Sequence, residues 1–153
     1  MTFWVYRVVL ALALPYLLFD AVRRYVRAPK VHRLLWAQFG RMPANVPAGG
    51  IWLHAVSLGE VRAAVSLIHH LQASWPDAPV VVSTMTETGA KAARALGVPH
   101  FYAPFDYAFA QRAVLKRLRP KLIIVMETEL WPNWAHVAED YGVPMAVVNA
   151  RLS

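Results

Sequence analysis

The chain has 153 residues, a length typical of one domain, and 58% of them are hydrophobic, which favours a membrane segment or a very apolar sheet. It contains no cysteine, so disulfides and thiolate metal sites are excluded. Of the formal net charge of +7, residues 1–50 carry +6 and residues 51–153 carry +1. A nearly neutral body argues against a nucleic-acid-binding face.

Between Thr2 and Phe19 the only residues that are not apolar are Thr2 itself and Arg7. Five basic residues follow, from Arg23 to Arg33. This pattern is compatible with a single-span anchor, an interfacial helix or a buried core helix. We predict a membrane-anchor helix over residues 1–22 and a basic juxtamembrane segment and linker over residues 23–49. The positive-inside rule then places the rest of the chain in the cytoplasm, beside an anionic inner leaflet.

From residue 50 onward, short apolar runs alternate with segments of helical periodicity. Strands are predicted at residues 51–56, 80–84, 100–102, 122–126 and 143–148. Helices are predicted at residues 58–74, 88–96, 106–118 (with Asp106 as its cap) and 131–141. Strands that are apolar on both faces and alternate with helices predict an α/β fold, a parallel Rossmann-like sheet flanked by helices.

Polar residues follow three of the predicted strands, where parallel sheets bind ligands. The first cluster is His54, Ser57, Gly59 and Glu60. The second contains Thr86, Thr88 and Gly89, and the third contains Glu127, Glu129, Trp131 and Asn133. Their convergence at one edge of the sheet predicts a functional site there.

Each cluster also has a structural explanation. Ser57 and Glu60 match the capping box S-x-x-E, in which both side chains serve the helix start. Glu127 and Glu129 are two residues apart, so in an extended backbone both side chains point to one face. They could form an acid/base pair or a metal site, or they could be solvated loop residues. Thr86 fits either a helix cap or an anion-binding turn.

Two nucleotide-binding motifs and a metal site are disfavoured. The chain has no G-x-G-x-x-G, and the second cluster lacks the Lys of a P-loop. The six histidines show no metal-ligand spacing, and the adjacent His69 and His70 are interpreted as surface or packing residues.

Several stretches in one order resemble the Kdo (3-deoxy-D-manno-octulosonic acid) transferases of lipopolysaccharide assembly. They are residues 51–61 (IWLHAVSLGEV), 84–89 (TMTETG), 102–106 (YAPFD), 119–122 (RPKL), 126–133 (METELWPN) and 149–153 (NARLS). The resemblance covers residues 50–153 and implies the N-terminal, acceptor-binding domain of a GT-B glycosyltransferase, without the donor domain.

The resemblance further implies an inverting transfer of Kdo from CMP-Kdo to a tetraacylated lipid A precursor, lipid IVA, without a metal or other cofactor. It implies Glu60 as general base and Glu127 or Glu129 as a supporting acid. Acceptor-binding residues would be His54, Ser57, Gly59, Thr86, Thr88, Gly89, Trp131, Asn133 and Arg151. The expected location is the cytoplasmic face of the bacterial inner membrane, and the chain alone is expected to be inactive.

Two rival hypotheses remain at this stage. One is a membrane-anchored Rossmann-like binding protein without catalysis, in which Glu60 only holds the helix start. The other is a GT-B enzyme that uses a different sugar nucleotide. The first predicts that Glu60→Gln is harmless, and the second predicts activity with UDP-sugars.

Overall fold

The computed structural model describes residues 2–27, 36–127, 129 and 131–150. The strands are β1 (Ile51–His54), β2 (Val80–Thr84), β3 (His100–Tyr102), β4 (Leu122–Met126) and β5 (Met145–Val148). The helices are α1 (Thr2–Arg27), α2 (Leu58–Ala63), α3 (Val65–Ser74), α4 (Glu87–Ala95), α5 (Ala108–Leu118) and α6 (Pro132–Asp140). The predicted site residue Arg151 and the basic residues Lys30 and Arg33 lie outside the described residues.

The five strands form one parallel sheet in the order β3-β2-β1-β4-β5, so the predicted α/β architecture is confirmed. β1 lies at the centre, and all four of its residues are buried. The register pairs His54 with Ser83 of β2 and with Val125 of β4. The carboxyl ends of the three central strands therefore meet at one edge.

Alternate residues of the strands feed two apolar layers, as the two-residue period of a strand requires. On one face, Leu53 and Val82 pack with residues of α2, α3 and α4. On the other face, Trp52 and Val125 pack with residues of α5 and α6. Strands β1, β2 and β4 are thus covered on both sides, which explains why they are mostly apolar, whereas β5 at the edge is only partly covered.

Apart from shifts of one or two residues at the ends of α4, α6 and β5, three element boundaries differ from the predictions. β1 ends at His54, because Ala55 and Val56 already belong to the loop before α2. The single helix predicted over residues 58–74 is interrupted at Ala64, which separates α2 from α3. Asp106 does not cap α5, whose N-cap position is held by Tyr107 without a side-chain hydrogen bond.

Residues 44–49, which precede β1, pack against the body. Val46 is buried in the second apolar layer, and the amide of Gly49 donates to the carbonyl of Leu118. The guanidinium of Arg117 donates to the carbonyls of Ala44 and Val46 at 2.8 and 3.0 Å. These contacts fix the path of the chain into the centre of the sheet.

Helix α1 contacts the body through its N-terminal half. The hydroxyl of Tyr6 donates to Asp106 at 2.7 Å, Arg7 donates to Asn133 at 2.9 Å, and Tyr107 donates to the carbonyl of Leu10 at 2.9 Å. The opposite side of the helix is exposed and apolar: Trp4, Val5, Val8, Val9, Leu12, Tyr16, Leu18, Phe19 and Val22.

The described helices include none that is long and apolar enough to cross a membrane. The prediction of a membrane-spanning anchor over residues 1–22 is therefore not supported.

Candidate functional site

The carboxylate of Glu60 is held at the junction of β1 and α2. Its Oε2 accepts a hydrogen bond from the backbone amide of Val56 at 2.8 Å, and its Oε1 accepts one from the hydroxyl of Ser57 at 2.9 Å. Only 8% of the residue is exposed. Ser57 occupies the N-cap position, but its side chain makes no cap hydrogen bond to the helix backbone. The predicted capping box is therefore replaced by a buried carboxylate that two donors orient.

The turn after β2 is joined to the same loop. Thr86 caps α4 by accepting from the amide of Gly89 at 3.1 Å, which confirms the cap interpretation. The Thr86 hydroxyl also donates to the carbonyl of Val56 at 3.4 Å. Val56 thus bonds to Glu60 through its amide and to Thr86 through its carbonyl, and it joins the first two predicted clusters. The hydroxyl of Thr88 is exposed and donates to Thr86.

Gly89 allows helix α4 to approach the loop before α2. A Cβ at Gly89 would lie 3.0 Å from Thr86 Oγ1, 3.2 Å from the carbonyl carbon of Ser57 and 3.4 Å from the amide nitrogen of Leu58. Gly59, by contrast, has only Ser57 Oγ near its hypothetical Cβ, at 3.8 Å. Of the two glycines predicted to bind acceptor, Gly89 has a clear packing role and Gly59 lies in open, exposed backbone.

These two glycines give a matched prediction. We expect Gly89→Ala to lower the free energy of unfolding by about 1–3 kcal/mol, because backbone atoms must move to admit the methyl group. Gly59→Ala should leave it unchanged or raise it by up to about 1 kcal/mol, because alanine favours the helix. Urea unfolding of both variants measures the difference, and equal effects would contradict the packing role.

The third cluster follows β4, beside the loop of Glu60. Glu127 comes two residues after Val125, the register partner of His54, and its amide donates to the carbonyl of Val148 at 2.8 Å. Its φ of 60° is left-handed, a strained conformation for a residue with a side chain. The backbone is therefore not extended at Glu127, and the assumption that placed both carboxylates on one face is wrong.

Glu129 and Trp131 form a pair within this loop. The indole N–H of Trp131 donates to Glu129 Oε2 at 3.1 Å, and both side chains are half-buried. The Trp131 ring also contacts the edges of His54 and Trp134, with centroids 5.7 and 6.4 Å apart. Trp131 thus connects a carboxylate at the site to the core beneath it.

His54 lies beneath the site rather than in it. Its ring is fully buried, and its Nδ1 is 2.8 Å from the hydroxyl of Ser83, which also accepts from the indole N–H of Trp52 at 2.7 Å. Its Nε2 has no hydrogen-bond partner among the described residues. The placement of His54 does not support direct contact with an acceptor, and a role in holding Trp131 fits it better.

Burial lowers the pKa of His54 to about 4, although contact with Ser83 opposes the shift. Between pH 6.5 and 4 the unfolded chain binds a proton at this position that the folded chain does not. We therefore expect stability to fall as the pH decreases, by about 2 kcal/mol between pH 7 and pH 5 from this residue alone.

Urea unfolding at the two pH values tests this expectation. His54→Asn, whose side chain can reproduce the Nδ1 contact with Ser83, should respond less to pH. His100 should contribute to the pH dependence of stability in the same direction, because burial, aided by the charge of Arg94, lowers its pKa to about 4 as well. If His54→Asn loses as much free energy of unfolding between pH 7 and pH 5 as the parent protein does, His54 does not cause the pH dependence.

Asn133 has a structural role that the sequence did not indicate. The residue is 2% exposed, its side-chain amide donates to the carbonyl of Asp106 at 2.7 Å, and its side-chain oxygen accepts from Arg7. Asp106 accepts from the backbone amides of Asn133 and Trp134 at 2.9 and 2.8 Å, and so caps α6 across the fold. The predicted acceptor-binding role of Asn133 is not supported, because its polar atoms are already engaged.

The structure therefore brings Glu60, Ser57 and Thr86 together through hydrogen bonds, with Glu127 on the neighbouring strand end. The part of the chain that the structure describes holds no group of three or more His, Asp or Glu residues able to bind a metal ion. The prediction that no metal takes part stays a prediction.

Comparison with known proteins supplies further information. The family model of 3-deoxy-D-manno-octulosonic-acid transferases matches residues 32–153. Transferases of that name from Haemophilus influenzae and Bordetella pertussis are 38% and 40% identical over 84% and 76% of this chain. A probable mitochondrial one from Arabidopsis thaliana is 37% identical over 80% of it. The chain spans 31%, 29% and 28% of these three relatives, respectively.

Proposed function

Because the chain belongs to the family of 3-deoxy-D-manno-octulosonic-acid transferases, we propose that it forms the acceptor-binding part of an enzyme that transfers Kdo from CMP-Kdo to a lipid A precursor. The family match over residues 32–153 is the observation that carries this proposal. The tetraacylated acceptor, the inverting course and the independence from cofactors form part of the proposal.

In the proposed reaction Glu60 is the general base. Its carboxylate accepts the proton of an acceptor sugar hydroxyl, and the oxygen attacks the anomeric carbon of Kdo. The bond from that carbon to the phosphate oxygen breaks, CMP leaves, and attack from the opposite face inverts the configuration. The two donors on Glu60 support this role, because a base must be held in position before it can act.

The other residues of the site are proposed to bind and orient the acceptor. Glu127 is the better candidate for the supporting acid, since its strained backbone lies beside the Glu60 loop and strain of this kind concentrates at functional sites. Glu129 is tied to Trp131, which suits a role in shaping the acceptor surface. Ser57, Gly59 and Thr88 complete the proposed surface, and Arg151 remains proposed from sequence.

Helix α1 is proposed to attach the protein to the cytoplasmic face of the bacterial inner membrane. Its exposed apolar side and the basic residues that follow suit the surface of an anionic bilayer. We expect the chain to float with vesicles that contain phosphatidylglycerol, and Leu12→Glu/Phe19→Glu to remain in the soluble fraction. Equal flotation of the double variant would contradict attachment through this side of α1.

The transferase activity is testable in a chimaera in which residues 32–153 replace the matching region of the Haemophilus influenzae relative. We call this protein the chimaeric transferase. We expect it to transfer Kdo from CMP-Kdo to lipid IVA and to transfer no sugar from UDP-sugars. A folded chimaera that is inactive with CMP-Kdo while its parent is active, or one that prefers a UDP-sugar, would contradict the proposal.

A further inference from the structure

A pocket of about 490 Å³ lies at the open edge of β3, away from the predicted active site. The segment 36–44 forms one wall, and β3 with the end of α4 forms the other. In the sheet order β2 separates β3 from β1, so the pocket is about 10 Å from the strand that carries the Glu60 loop. We call it the β3-edge pocket. Its volume is in the range of pockets that bind small molecules.

Two guanidinium groups give the β3-edge pocket a positive charge. Arg41 and Arg94 both line it, and none of the described residues around it is acidic. Neither arginine forms a salt bridge with a carboxylate within the described ranges. Arg94 lies over the ring of Tyr102, 5.8 Å from its centroid, so its guanidinium contacts another residue that lines the pocket. Two uncompensated cations in one concave surface favour a dianion.

Aromatic side chains provide part of the remaining lining, beside Ala37, Met42, Pro43 and Ala44. Trp36, Tyr102 and the buried Phe101 line the pocket together with His100, whose ring packs edge-on against Tyr102 at 5.2 Å. His100 Nε2 is 3.0 Å from the hydroxyl of Thr84, so this nitrogen is already engaged inside the fold. The ligand suited to this lining has an apolar or planar part beside its anionic group.

We propose that the β3-edge pocket binds a phosphate ester, with Arg41 and Arg94 on the phosphate and the organic part against the aromatic wall. A phosphate monoester carries about −1.5 to −2 charges at neutral pH and offers three acceptor oxygens, which matches two guanidinium forks. Such a monoester occurs both in soluble metabolites and in the headgroups of some anionic lipids. The site is independent of the proposed transfer reaction, because none of its residues belongs to the Glu60 site.

Isothermal titration of the chain tests the proposal with three probes. Phenyl phosphate represents a soluble ester, dihexanoyl phosphatidic acid below its micelle concentration represents a lipid headgroup with a phosphate monoester, and phenol is the uncharged control. We expect one or both phosphates to bind and phenol not to bind. The stronger phosphate identifies the source, and the indole signal of Trp36 should shift in NMR spectra as it binds.

Substitutions locate the binding. Arg41→Gln and Arg94→Gln should each weaken the phosphate probe about tenfold, the loss expected for one charge-assisted hydrogen-bonded contact. Lys116→Gln removes one positive charge, as each arginine variant does, but at an exposed position on α5 outside the pocket. It should leave the affinity for the phosphate probe unchanged. Absence of binding by both phosphates, or equal weakening in all three variants, would overturn the proposal. Both arginines are exposed, so circular dichroism should show folded variants.

Discussion

Glu60→Gln in the chimaeric transferase should lower kcat by about 10²–10⁴-fold, the usual contribution of a positioned general base. The amide can still accept from the Val56 amide and can donate to the Ser57 hydroxyl, so the geometry at the start of α2 is retained. The substitution therefore removes the proton acceptor while keeping the local fold. Steady-state kinetics with saturating lipid IVA and CMP-Kdo measure the effect.

Two controls distinguish the loss of the general base from a loss of folded protein. Glu139→Gln, an exposed change of the same kind on α6, should leave kcat unchanged. Thermal unfolding should show that Glu60→Gln melts within a few degrees of the parent protein. If kcat is retained in Glu60→Gln, Glu60 is not the general base and its carboxylate serves only to hold the start of α2.

Asp106→Ala should lower the free energy of unfolding by about 3 kcal/mol or more. The change leaves the buried amides of Asn133 and Trp134 without an acceptor, and each such group costs about 1–3 kcal/mol. It also removes the acceptor of the Tyr6 hydroxyl. Burial raises the pKa of Asp106, so removing the carboxylate relieves some desolvation, but three lost bonds outweigh that relief.

Urea unfolding at pH 7 measures this loss of stability. Two further variants serve as controls for it. Tyr6→Phe removes a single bond to Asp106 and should cost about 1 kcal/mol. Asp77→Ala, at an exposed position in the turn before β2, should stay within about 0.5 kcal/mol of the parent. A loss in Asp106→Ala no larger than that in Asp77→Ala would show that α6 does not depend on this cap.

The sheet could be predicted from sequence because its signals are local. The bounds of β2, β3 and β4 agree with the predictions, since each is a short apolar run between turn residues. Strand order was not predictable in the same way, because it depends on which apolar faces meet. The interruption at Ala64 has no signal in the sequence, as alanine favours the helix interior.

The site could be predicted only to the level of strand ends. Sequence position placed Ser57, Thr86 and Glu127 at one edge, and parallel topology confirms that placement. Two of the predicted site residues, His54 and Asn133, form hydrogen bonds inside the fold, to Ser83 and Asp106, which are about 30 residues away in the chain. Long-range hydrogen bonds of this kind leave no periodic pattern to read.

The contacts of α1 have a consequence for synthesis of the protein. Tyr6 and Arg7 find their partners 100 and 126 residues further along the chain. At about 5–20 residues per second, a ribosome needs roughly 5–25 s to deliver those partners. During that interval the inner side of α1 also lacks these partners, so both sides of the helix are open to a chaperone or a nearby bilayer.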